Sequence, residues 1–138
     1  MQLYIFDTDH LSLYGRANPY LISRLQATQI QLKTTVINVE EQLRGRLAQI
    51  SEIKDGENQS GAYQLLTDTI LMLSEFDVLQ YDAKAREIYQ SLQAKRIRVG
   101  TQDMRIASIV IAYNGILLTR NRRDFEKIPN LMIEDWTV

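Results

Sequence analysis

Leu3-Tyr4-Ile5-Phe6 is apolar at every position, and the run stops at Asp7. A half-buried strand alternates apolar and polar residues, because successive side chains point to opposite faces. An unbroken apolar run of this length describes a strand covered on both faces, as in a parallel sheet between helices. Ile116-Leu117-Leu118 repeats the pattern near the other end of the chain. Parallel strands cannot be joined by tight turns, so the chain between them must supply crossover helices.

Those helices are legible from periodicity and caps. Asp7-Thr8-Asp9 opens a first helix, and Pro19 lies early in a second. Gln31 to Val36 reads as a strand. Ile37 to Ile53 reads as a helix whose apolar stripe is Val39, Leu43, Leu47 and Ile50. Lys54 to Ser60 is polar and forms the turn of a helical hairpin. The return helix runs from Gly61 to Leu73, with Leu65, Leu66, Ile70 and Leu73 on its apolar stripe. Phe76 to Leu79 is a short strand, and Asp82 caps a helix to Ala94. After a basic loop, Lys95 to Gly100, Thr101 caps a helix that Asn114-Gly115 ends. Asp124 to Lys127 makes one turn before Pro129, and Leu131 to Ile133 is a last strand. The alternation indicates one α/β domain over residues 1–138, with a mostly parallel sheet of four to five short strands between helices.

Composition narrows the function classes. The formal net charge is -1, so global charge gives no argument for nucleic acid. Any such contact needs a local basic patch or a metal bridge. There are no cysteines, which excludes disulfides, thiolate zinc sites and cysteine nucleophiles, and which fits a reducing cytoplasm. No leader sequence is visible, and no apolar run approaches the roughly 18–20 residues that cross a bilayer.

In open α/β sheets, ligands bind beyond the carboxyl ends of the strands. Asp7 and Asp9 follow the first strand. Glu40 and Glu41 lie early in the helix after the second, Asp103 lies in the first turn of the helix after Gly100, and Thr119 and Asn121 follow Leu118. Strand ends and the helix starts that follow them share one sheet edge, so these groups are expected to converge. Clustered carboxylates repel and raise one another's pKa, and a hard divalent cation removes the repulsion. An acidic, cysteine-free set with a single histidine points to Mg²⁺ or Mn²⁺ rather than zinc. A helical wheel puts Glu40 nearer the apolar stripe and Glu41 on its flank, and geometry alone does not choose between them. His10 is expected to be solvent-facing or a cap. Arg120, Arg122 and Arg123 offer phosphate contacts, against the plainer reading of a solvated turn.

Several segments together resemble the PIN domain, and within it the VapC-type toxins of bacterial toxin–antitoxin pairs. They are Tyr4-Ile-Phe-Asp-Thr-Asp-His-Leu-Ser12, Val36-Ile-Asn-Val-Glu-Glu-Gln-Leu-Arg-Gly45, Gly100-Thr-Gln-Asp-Met-Arg-Ile-Ala107, Ile116-Leu-Leu-Thr-Arg-Asn-Arg-Arg-Asp-Phe125 and Ile133-Glu-Asp-Trp136. The resemblance implies a PIN-like fold and endonucleolytic hydrolysis of RNA by metal-activated water. It implies Asp7, Glu41 and Asp103 as the catalytic, metal-binding acids. The spacing before Gly45 selects Glu41, with Glu40 as the alternative. Asp9 and Asn121 become peripheral ligands, standing where relatives carry Asn and a fourth acid, and Thr119 becomes a hydrogen-bonding neighbour. The resemblance also implies a homodimer, and an antitoxin partner expected to bind the hairpin from Ile37 to Leu73.

Other readings fit less well. A phosphatase of the haloacid-dehalogenase type also places Asp-x-Asp after its first strand, but it wants Gly or Thr where His10 stands. A receiver domain needs a Lys at the end of the Ile116–Leu118 strand, and Thr119-Arg120 follows instead. A degenerate PIN module that only binds RNA or a partner would have lost two or more acids, and none of the three main ones is missing.

Overall fold

Ile5 and Phe6 are both fully buried, on opposite faces of the strand they share. That strand, β1 (Tyr4–Phe6), is central to a sheet with two parallel neighbours. In this computed structural model, which describes residues 2–54 and 58–138, five strands form one sheet in the order β3-β2-β1-β4-β5. β2 is Lys33–Thr35, β3 is Asp77–Leu79, β4 is Ile116–Leu118 and β5 is Met132–Glu134, and every pairing is parallel.

The helices are α1 (Thr8–Gly15), α2 (Pro19–Thr28), α3 (Val36–Glu52), α4 (Gln59–Leu73), α5 (Ala83–Ala94), α6 (Thr101–Ala112) and the single turn α7 (Arg122–Phe125). Their starts follow capping chemistry. Asp7, Asn18, Thr35 and Asp82 each accept a backbone N–H three residues on, satisfying donors that the first helical turn leaves free. At α6 the cap is Gly100 rather than Thr101, which is the first helical residue. Asn114 adopts the left-handed conformation at φ 54°. Gly115 is needed for close approach, since a Cβ there would stand 2.5 Å from Ile5 Cδ1.

Two cores result. The Ile5 and Leu117 side packs against α5 and α6, and the Phe6 and Leu118 side packs against α1, α2, Phe76 and Trp136. Burying a side chain of this size contributes about 1.5–3 kcal/mol. The unbroken apolar runs exist because both faces are covered.

The hairpin departs from its expected packing. Buried positions on α3 are Ile37, Asn38 and Gln42, and on α4 Ala62, Thr69 and Leu73. Leu47 is 56% exposed, Ile70 50% and Leu71 61%, and Leu65 is also exposed. The apolar stripe read from periodicity therefore turns partly outward. On the inner face Ile37, Val39, Leu43 and Leu73 still pack into the cores, and polar residues join them where α3 meets α1: Gln42 Nε2 donates to the Thr8 carbonyl and to Ser12 Oγ, both at 2.9 Å.

The strand order places the topological switch point at β1. β2 and β3 build outward on one side, and β4 and β5 on the other. Phe6 pairs with Leu118, so Asp7 and Thr119 emerge side by side at the carboxyl edge, where such sheets open a crevice.

Candidate active site

Asp7 is buried at the junction of β1 and α1. Its backbone N–H extends the β1–β4 pairing to the Leu118 carbonyl at 3.1 Å, and its Oδ1 caps α1 by accepting the His10 N–H at 2.8 Å. Glu41 is half-buried on α3. A directed series of hydrogen bonds holds it. Thr35 Oγ1 donates to Asn38 Oδ1 at 2.7 Å, Asn38 Nδ2 donates to Thr8 Oγ1 at 3.1 Å, and the Thr8 hydroxyl donates to Glu41 Oε1 at 2.6 Å. Asn38 is fully buried, so each partner matters to its neighbour.

Asp103, on the first turn of α6, is half-buried. Its pKa is raised from 3.8 to about 6, first by burial and then by the charges of Glu41, Asp124 and Asp7. That electrostatic signature joins four carboxylates from four separate parts of the chain. Asp124 had no role in the sequence reading, although it lies in one of the quoted motifs. Asn121 stood nearer the strand and took the fourth position there. The structure shows how the two relate: Asn121 Nδ2 donates to Asp124 Oδ2 at 3.2 Å, and the Asn121 backbone N–H donates to Thr119 Oγ1 at 2.9 Å. The signal was the i, i+3 spacing of Asn121 and Asp124 in a turn after the strand.

Other candidates fall outside this group. Asp9 is exposed on α1 and is not among the charges that act on Asp103. Glu40 is exposed, contrary to its place on the helical wheel, and pairs with Arg44 while accepting Gln102 Nε2 at 2.8 Å. Arg120, Arg122 and Arg123 are exposed beside the β4 turn, and Arg122 lies 3.8 Å from Glu126. His10, expected at the surface, is fully buried because α1 turns it inward between Phe6 and Trp136.

The sequence pattern of the PIN domain matches residues 4–131. The chain belongs to the PIN domain family. Within the PIN family it is similar to proteins of VapC type. It is 36% identical over 70 residues to Ribonuclease VapC2 of Rickettsia felis, covering 48% of this chain and 52% of that one. It is 37% identical over 68 residues to the tRNA(fMet)-specific endonuclease VapC of Salmonella typhimurium, covering 46% and 52%. These matches span about half the length of each relative. The VapBC2 structure from Rickettsia felis bound to a promoter DNA fragment superposes with a TM-score of 0.76 at 26% identity, over 98% of this chain and 99% of that one. DNA-bound VapBC from Salmonella typhimurium shares the fold with a TM-score of 0.80 at 23% identity, over 99% of each. The recognition drawn from the motifs, a VapC-type PIN domain with a parallel α/β sheet, therefore stands.

The PIN-site residues fit a hard divalent cation by their chemistry. All are oxygen donors, and the charges that raise Asp103 are all negative. Among the described residues no three acidic or imidazole groups stand close enough to enclose one ion. Mg²⁺ does not require that, since it usually takes one or two carboxylates and completes its shell with water and substrate phosphate.

Proposed function

We propose that this PIN domain is a metal-dependent endoribonuclease, the toxin of a toxin–antitoxin pair. The observation that carries the reading is Asp103, whose proton affinity is raised by burial and by three neighbouring carboxylates. A cation bound among these groups relieves so unfavourable a charge. Asp7, Glu41 and Asp103 would share the binding of Mg²⁺ or Mn²⁺, one or two of them in direct contact and the rest through water, with Asp124 among the acids that act on the site. The cation supplies charge neutralisation at the phosphodiester and activation of water for in-line attack.

The chain's own groups have distinct tasks. Thr8 engages Oε1 of Glu41, and Oε2 has no hydrogen-bond partner among the described residues. Asn121 orients Asp124 through Oδ2, and Thr119 fixes the turn that carries Asn121. Asp9, on the exposed side of α1, takes at most a rim role. Arg120, Arg122 and Arg123 present positive charge to the RNA backbone beside the site.

The partner surface in this reading is the α3–α4 hairpin. Leu47, Ile70 and Leu71 are exposed there, and a cavity of about 500 Å³ lined by Gln49, Ile53, Leu65 and Asp68 opens between the helices. An amphipathic antitoxin helix finds both anchors and a groove. Homodimerisation and a cytoplasmic site of action belong to the same reading. Among the described residues no helix is long and apolar enough to cross a membrane.

The test is cleavage of structured and unstructured RNA by the purified protein with Mg²⁺, Mn²⁺ or excess EDTA, alongside Asp7→Ala and Asp103→Ala. Loss of cleavage in EDTA and in both variants is expected. Undiminished cleavage in EDTA sinks the metal mechanism, and full activity in either variant sinks the site assignment. RNA binding without cleavage under every metal condition would make the chain a binding module instead.

A further inference from the structure

His10 is the single histidine of the chain, and its ring is fully buried. One ring nitrogen is accounted for: the backbone N–H of Trp136 donates to Nε2 at 3.2 Å. A nitrogen that accepts carries no proton, so the neutral ring holds its proton on Nδ1. Nδ1 has no hydrogen-bond partner among the described residues, yet Asp7 Oδ1 lies 3.3 Å away. The same oxygen accepts the His10 backbone N–H. Leaving a buried donor unpaired is costly, and a filler side chain in this place would need no donor at all.

We propose that His10 is a positioning residue for Asp7. Nδ1–H and the cap bond both address Oδ1, which leaves Oδ2 for a cation. The other side of the ring is tied to the chain just beyond β5. That anchor is firm: Trp136 is 1% exposed, its ring centroid lies 4.7 Å from that of Tyr4 with the planes tilted by 46°, and its indole N–H donates to Glu134 Oε1 at 2.9 Å. The segment after β5 is thus a brace for the first acid of the site, transmitted through one imidazole. The inference rests on the metal-dependent reading of that acid.

Because the chain has one histidine, its ¹⁵N resonances are assigned without ambiguity. In metal-free protein, long-range ¹H–¹⁵N spectra should show the Nδ1–H tautomer, and Asp7→Asn should move the Nδ1 resonance. The opposite tautomer, or an Nδ1 resonance indifferent to Asp7→Asn, overturns the proposal. Two variants then separate positioning from packing, with Mn²⁺ alone as the calorimetric probe. His10→Gln keeps an acceptor for Trp136 but loses the donor toward Asp7. It should melt near the parent and bind Mn²⁺ about 10- to 100-fold more weakly, as for other outer partners of metal ligands. His10→Asn keeps a donor near the Nδ1 position and strands Trp136. It should melt lower and bind Mn²⁺ nearly as the parent does. A Gln variant that binds like the parent, or affinity losses that follow melting temperature in both variants, would make His10 purely structural. If either variant fails to fold, the spectra of the parent and of Asp7→Asn decide. A parent that binds no Mn²⁺ overturns the metal reading of the site, and the spectra then judge the contact by themselves.

Discussion

Asp103→Asn removes a charge that the folded protein penalises while keeping the shape of the side chain. The carboxyl moves from 3.8 to about 6 through burial and the fields of Glu41, Asp124 and Asp7. At ~1.4 kcal/mol per tenfold change in proton affinity, the ceiling on the penalty is about 3 kcal/mol. Solvent reaches part of the group, and screening brings the usable figure to about 1–2 kcal/mol. The sign follows from linkage. Folded Asp103 binds its proton more tightly than unfolded Asp103, so its favourable contribution is complete below pH 3.8 and is lost as pH rises through about 6. The variant has no such loss. It should therefore be more stable than the parent at pH 8 by about 1–2 kcal/mol, or about 3–6 °C in melting temperature. The advantage should shrink toward pH 5 and vanish near pH 4, while RNA cleavage is abolished throughout. Urea unfolding in EDTA at several pH values measures this. A variant no more stable than the parent at pH 8, or one whose advantage is independent of pH, refutes the argument from repulsion.

Three further outcomes follow from the same geometry. Mn²⁺ affinity should be flat above pH 7 and fall as pH drops below about 6, because protons compete for Asp103; calorimetry showing unchanged affinity at pH 5 would contradict it. Thr8→Val removes the hydroxyl between Asn38 and Glu41. It should cost about 1–3 kcal/mol in urea unfolding, and kcat should fall more than KM changes. Asp124→Asn should reduce cleavage at least about tenfold while Asp9→Asn leaves it nearly intact, in line with the cost of losing a supporting group at a metal site; the reverse order would return Asp9 to the site.

The layout of the fold was legible because its strands advertise themselves. Leu3–Phe6 and Ile116–Leu118 have no polar alternation, and Asp7, Asn18, Thr35 and Asp82 mark helix starts by chemistry that needs no tertiary information. Asp7, Glu41 and Asp103 were legible as strand-end or early-helix positions on one edge. What periodicity could not supply is which apolar face a helix buries. Leu47 and Ile70 sit on apolar stripes but face outward, and Asn38 and Gln42 share the inner face through hydrogen bonds to α1. Periodicity reports that a stripe will be covered, without reporting whether this chain covers it. The burial of His10 was equally hidden, because its partner Trp136 is 126 residues away.

The distribution of hydrogen bonds within the site explains why Asp103 is its electrostatic centre. Asp7 accepts the His10 N–H at a helix start, where the exposed amide groups favour a negative charge. Glu41 accepts from Thr8, and Asp124 accepts from Asn121 with Lys127 Nζ 3.6 Å away. Each of those three carboxylates has a donor fixed by the fold. Asp103 has none among the described residues, and it is the member whose proton affinity burial and the other three raise. Above about pH 6, where Asp103 is ionised, a cation arriving at the cluster therefore gains most from relieving the repulsion there, and below it the cation must first displace the proton. The arrangement assigns the neutral residues Thr8, Asn38 and Asn121 to holding the acids in place. It leaves one acid without a hydrogen-bond donor among the described residues, offset only by its place in the first turn of α6, so the gain from a bound cation is concentrated there. On this argument the order of sensitivity to metal removal is set by the missing donor at Asp103, more than by the number of acids nearby.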